Sequence, residues 1–159
     1  VKLNKLLFLI VISILVGCKK ELIAPLMTSD PYSGITETGP DSPDPIGIYD
    51  PNDWKSPPSD SAGGLSLKVY PAYPNPTNGK FKFLFALPVD DSVIIYIDDW
   101  PNGKTIPILK NLLSAGLFEI EIDLNNGYEN IQRKEGIVRL FFYARGKLSY
   151  STFGDIEYK

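Results

Sequence analysis

From Leu65 onward, apolar and polar residues alternate with the two-residue period of a strand that buries one face. Lys80–Leu87 (KFKFLFAL) puts Phe81, Phe83, Phe85 and Leu87 on one side. Ser92–Asp98 does the same with Val93, Ile95 and Ile97. Leu117–Leu124 sets Phe118, Ile120, Ile122 and Leu124 against Glu119, Glu121 and Asp123. Gly136–Ala144 (GIVRLFFYA) is almost continuously apolar, as a central strand is. Arg139 on this run and Arg145 directly after it are expected to flank a solvent-facing edge. Shorter runs at Leu65–Tyr70 and Thr105–Leu109, and a broken closing run over Lys147–Tyr158, bring the predicted strands to seven. Pro71–Gly79 and Asp99–Gly103 are turn-rich breaks, and only Leu109–Leu113 hints at a helical period. The pattern predicts an all-β antiparallel β-sandwich over residues 65–159.

Residues 19–64 lack any such period. They hold eight of the 14 prolines and five glycines, with three basic and eight acidic residues. Proline has no amide donor and disfavours helix in the residue before it, so residues 18–64 read as a disordered Pro/Gly-rich tether. One stretch departs from this, Ile46 to Trp54, which is apolar and aromatic. Trp54 either docks on the domain edge, stays exposed, or contacts a ligand.

The N-terminus reads as an address. Lys2 and Lys5 precede Leu6–Val16, an 11-residue apolar run. As a helix this spans about 16 Å against a hydrocarbon core of about 30 Å, so it fits a signal peptide over residues 1–17 rather than a membrane span. Leu15-Val16-Gly17-Cys18 resembles a bacterial lipobox. Small Gly17 admits the peptidase, and the Cys18 thiol is the atom that takes the acyl chains. The expectation is a lipid-anchored protein of the outer membrane or cell surface, whose membrane contact is that anchor.

Composition narrows the chemistry. The chain has no His and one Cys. Ser/His/Asp and Cys/His arrangements are therefore unavailable, as are internal disulfides, and no cofactor or metal is expected. Residues 65–159 hold eleven basic and eleven acidic residues, so the predicted domain lacks the positive field that nucleic-acid binding needs. The pairs Asp90/Asp91 and Asp98/Asp99 point to opposite strand faces and form no acid–base dyad. They read as solvated turn carboxylates, with a calcium site of Asp98, Asp99 and Asn102 as the alternative. Trp100, in a turn before Pro101, is either folded over the sandwich edge or an exposed ring for stacking on a sugar or a partner.

The most distinctive motif is Tyr73-Pro74-Asn75-Pro76-Thr77-Asn78-Gly79. It is followed by Ala86-Leu87-Pro88, by strands ending at Asp98 and Leu124, and by Gly136-Ile137 opening a long strand. This order resembles the C-terminal Ig-like modules of secreted Bacteroidetes proteins: type A sorting domains of type IX secretion and related FlgD-like domains. The resemblance covers residues 67–159 and implies an Ig-like sandwich. Read physically, Pro74 and Pro76 force the chain out of its sheet, Asn75 and Asn78-Gly79 are turn formers that tolerate positive φ, and Tyr73 covers the apolar interior. The motif is expected to be structural. Three functions stay open: a non-enzymatic lipid-anchored module for a cell-envelope protein, a secretion-sorting domain, or a glycan-binding module using Trp100.

Overall fold

Alternating sequence becomes strand wherever the predicted runs fall. The computed structural model describes residues 34–58, 66–99, 104–125 and 136–159. Its strands are β1 (Lys68–Val69), β2 (Lys80–Leu87), β3 (Asp91–Asp99), β4 (Lys104–Leu113), β5 (Gly116–Asp123), β6 (Gly136–Ala144) and β7 (Tyr150–Tyr158). Among the described residues there is no helix. The run Leu109–Leu113 is the end of β4, because its backbone pairs with β3 from Asp91 to Ile95. The predicted first strand shrinks to two residues, and the predicted break in the last is absent from Tyr150 to Tyr158.

The strands form two antiparallel sheets, ordered β1-β2-β5 and β4-β3-β6-β7. They make an all-β antiparallel sandwich. Pro107 sits within β4, which is tolerable because β4 is an edge strand whose outward amide has no ladder to complete. The register shifts beside it, between Ile95 and Tyr96.

The interior is aromatic. Phe83 and Phe85 of β2 meet Phe142 of β6 across the sheets, with ring centroids 6.1 and 5.1 Å apart. Phe85 also stacks on Phe118 at 5.2 Å. Val93, Ile95 and Ile97 come from β3, Val138 and Leu140 from β6 and Ile156 from β7, all fully buried.

The tether expectation fails for residues 34–58. Thr36, Thr38, Asp50, Asp53 and Trp54 are buried. Glu37 N–H donates to Ile48 O at 2.7 Å, and Glu37 O accepts from Ile46 N–H at 3.0 Å, so the segment doubles back on itself. Proline content forbids long strands here without forbidding single bridges and side-chain bonds. Residues 50–56 then run as a strap along two sheet edges. Trp54 N–H donates to Phe153 O of β7 at 2.7 Å. Ser56 Oγ takes the Val69 amide of β1 at 2.9 Å and donates to the Val69 carbonyl at 3.1 Å.

Trp54 is inserted between the sheets rather than laid on the edge. Its indole lies 5.5 Å from the Phe83 ring, and a Cβ on Gly154 would sit 1.9 Å from the indole. Glycine at 154 is thus a steric requirement of the tryptophan.

Gly154→Ala should lower stability by about 1–3 kcal/mol through overpacking, and Trp54→Ala by about 3–5 kcal/mol through the cavity left behind. Urea denaturation measures both. The double variant should cost less than the sum, because deleting the indole frees the space the new methyl needs. Strict additivity would mean that the ring does not occupy the place beside Gly154.

Candidate functional site

The Tyr73–Gly79 motif, the strap and β7 converge at one end of the sandwich. Tyr73 pairs with Lys82 through both backbone bonds, 2.9 and 2.7 Å long. Directly opposed residues of an antiparallel pair share a face, so the Tyr73 ring lies on the outer face beside Lys82. The expected capping of the interior by Tyr73 is therefore incorrect; Ala72, fully buried, is the residue that enters the core. The Tyr73 hydroxyl donates to Glu119 Oε2, while Lys82 Nζ lies 2.9 Å from Glu119 Oε1. These bonds, Tyr73 first and Lys82 second, hold the Glu119 carboxyl below its usual range.

Pro74 and Pro76 follow cis peptide bonds. Between them Asn75 is fully buried. Its Nδ2 donates to Thr36 O at 2.9 Å and to Asp155 O at 2.8 Å, and its Oδ1 accepts from the Glu157 amide at 2.9 Å. Its carbonyl accepts from the Thr38 amide at 2.8 Å. Asn75 is a stitch among three segments. It is not a positive-φ turn residue; the left-handed φ within the motif is at Gly79, +105°. A Cβ there would come 2.3 Å from Asn125 Nδ2, and the same nitrogen donates to Asn78 O at 3.0 Å. Thr77 makes a parallel bridge to Tyr158 and completes the seam.

Beneath the strap lies a buried polar cluster. Arg139 and Asp155 are opposite each other on β6 and β7 and form a two-pronged pair, Nε to Oδ1 at 2.6 Å and Nη2 to Oδ2 at 2.7 Å. The expected solvent-facing edge for Arg139 does not hold, because this pairing and the Phe153 ring at 4.1 Å cover it. Asp53 joins from the strap. Its Oδ1 accepts from the Asp155 amide at 3.2 Å, and its Oδ2 is buried with no partner among the described residues. Burial above all, then the charges of Asp155 and Asp50, push the Asp53 carboxyl up to about 8, against the pull of the Asp155 amide and Arg139.

A third feature is the outer face of the four-stranded sheet. Tyr96 stacks on Phe141 at 4.9 Å and on Tyr143 at 5.6 Å, and Phe141 meets Phe153 at 6.1 Å. Arg145 lies over Tyr143 at 4.8 Å. The tyrosine hydroxyls are 3.0 Å apart, and burial first, then that bond, raises the Tyr96 phenol above its ordinary value. Tyr143, Arg145, Ser149, Tyr150 and Ser151 line an open depression of about 320 Å³. An aromatic ring, a guanidinium and hydroxyls suit a polar partner surface or a glycan better than they suit bond-breaking.

The turn carboxylates are engaged rather than merely solvated. Asp91, buried, accepts from the amides of Ser92 at 2.6 Å, Leu148 at 2.7 Å and Gly146. Asp90 Oδ1 accepts from the Ala115 amide at 2.8 Å. Among the described residues no three acidic or Cys side chains converge on a metal position. Leu15, Val16, Gly17, Cys18, Trp100 and Asn102 lie outside the described residues. The pairing of Arg139 with Asp155 had a sequence signal, a lone cation inside an apolar strand; the roles of Asn75 and Asp53 had none. No known protein family, curated protein or solved structure matches this chain.

Asn75→Ala leaves Thr36 O, Asp155 O and the Glu157 amide without their buried partner, each worth about 1–3 kcal/mol. The expected loss is about 3 kcal/mol or more in a thermal or urea melt. Tyr73→Phe, which removes only a bond on the outer face, should cost far less. Equal losses would contradict the assignment of Asn75 as the stitch.

Proposed function

We propose that the chain is a non-enzymatic, lipid-anchored lipoprotein of the cell envelope, with its Ig-like sandwich serving as an interaction module at the outer membrane or cell surface. The observation that carries this reading is Leu15-Val16-Gly17-Cys18 at the end of the 11-residue apolar run, with Gly17-Cys18 directly behind it and Cys18 the chain's one cysteine. A diacylglycerol with an added N-acyl chain anchors stably where a single chain is marginal. The likeness to sorting domains rests on the Tyr73–Gly79 motif, and there Tyr73, Asn75 and Thr77 are buried in contacts within the fold. That favours a module over a docking signal read by secretion machinery. The depression beside Tyr143 and Arg145 is the surface offered to a cell-envelope protein or a glycan.

Mass spectrometry of the mature N-terminus should find Cys18 diacylglyceryl-modified. A Cys18→Ala protein should move from the membrane fraction to the soluble one. Protease shaving of intact cells then separates outward display from a periplasmic location. An unmodified Cys18, with membrane partitioning unchanged by the substitution, would refute the anchor.

A further inference from the structure

We infer that residues 50–56 form a proton-locked clasp: neutral Asp53 holds the strap on the free edge of β7, and its ionisation lets the strap open while the sandwich stays folded. The inference is independent of the lipid anchor.

The geometry carries it. Asp53 is 2% exposed, and its Oδ2 faces no donor among the described residues. The charged groups facing it come from three elements: Asp50 on the strap itself, Asp155 on β7 and Arg139 on β6. Arg139 is already committed to Asp155 through both prongs of its fork. A proton on Asp53 relieves its repulsion with the Asp155 and Asp50 carboxylates. Without it, a bare carboxylate oxygen is held away from water, which is costly.

The neighbouring anchor is itself strained. Trp54 has φ +53°, a left-handed conformation that a bulky residue rarely adopts, and its buried Nε1 also lacks a partner among the described residues. Asp53 and Trp54 hold the strap to β7 by two hydrogen bonds, Trp54 N–H to Phe153 O and Asp155 N–H to Asp53 Oδ1. The cross-sheet contacts of Phe83 and Phe85 with Phe142 use neither residue. Opening therefore bares the Phe153 carbonyl and the Asp155 amide and withdraws the Trp54 indole from beside Phe83 and Gly154, while the contacts of Phe83 and Phe85 with Phe142 stay in place.

The sign follows from proton affinity. Asp53 binds its proton more tightly in the closed strap, near 8, than when exposed, near 3.8. The closed form is fully favoured below about pH 4. Its advantage falls by up to about tenfold per pH unit until pH passes the closed-state value.

Amide hydrogen exchange on the full chain in detergent, between about pH 5 and 8.5 and corrected for intrinsic rates, tests this. Trp54 and Asp155 amides should be less protected than those of Phe83 and Ile95, and their protection should fall by up to about tenfold per pH unit. Asp53→Asn should flatten that slope. Protection of Trp54 and Asp155 equal to that of the core would overturn the clasp, since the strap would then open only with global unfolding. So would protection independent of pH, or a slope that survives in Asp53→Asn. The unsubstituted protein decides the first two outcomes by itself, whatever the variant's ability to fold.

Discussion

A strand at a sheet edge carries backbone N–H and C=O groups that must meet water or a partner. On the outer edge of β7 these groups are met one after another. Trp54 N–H takes the Phe153 carbonyl, Asp53 takes the Asp155 amide, and Asn75 takes the Asp155 carbonyl and the Glu157 amide. Thr77 then takes the Glu157 carbonyl and the Lys159 amide. Among the described residues no complete eighth strand covers this edge. Two side chains and two short backbone contacts imitate one. The course of the strap, the inward turn of Asn75 and the glycine at 154 all follow from covering this edge.

That cover brings polar groups into a place with little water. The Arg139–Asp155 pair has near-ideal two-pronged geometry, and it is still weak evidence for net stability, because two ions had to be desolvated to form it. Its consequence is directional. It fixes Asp155 so that the Asp155 backbone serves Asn75 and Asp53 on the opposite side of the strand. Asp53 is the residue left with the unfavourable position, and the local strain at Trp54 lies directly beside it. Stability and adjustability are therefore separated in the molecule. The Phe83, Phe85 and Phe142 contacts supply the first, and the strap, whose Trp54 also packs on Phe83, carries the second.

The two faces of the four-stranded sheet use aromatic residues in different ways. Inward, Phe142 joins a cluster that bridges the sheets. Outward, Tyr96, Phe141 and Tyr143 turn their rings toward one another along the sheet, with guanidinium groups of Arg139 and Arg145 against flanking rings. What this outer face presents is phenol hydroxyls, ring edges and an arginine beside an open depression. Such a surface is sequence-encoded as every second residue of β3 and β6, but its stacking depends on the register between those strands.

Strand identity was legible in the sequence because it is local. A backbone of period two sorts side chains to two faces, so KFKFLFAL and GIVRLFFYA announce β2 and β6 at their observed limits. The same local logic failed where contacts are distant. Asp53 meets Asp155 across 102 positions, and Asn75 meets Glu157 across 82. No composition or spacing near Asn75 distinguishes a turn asparagine from a buried stitch, and the apolar run ending at Trp54 left open whether the ring docks, because its partners lie in the last strand. Tyr73 shows the same limit: its burial was foreseeable, its face was decided by pairing with Lys82. By itself the sequence determined which residues form strands and which side of each strand is apolar, since both follow from backbone geometry within a few residues. Only the tertiary structure decided which polar groups are buried and what they hold together, since a hydrogen-bond partner is set by the folded path of the whole chain.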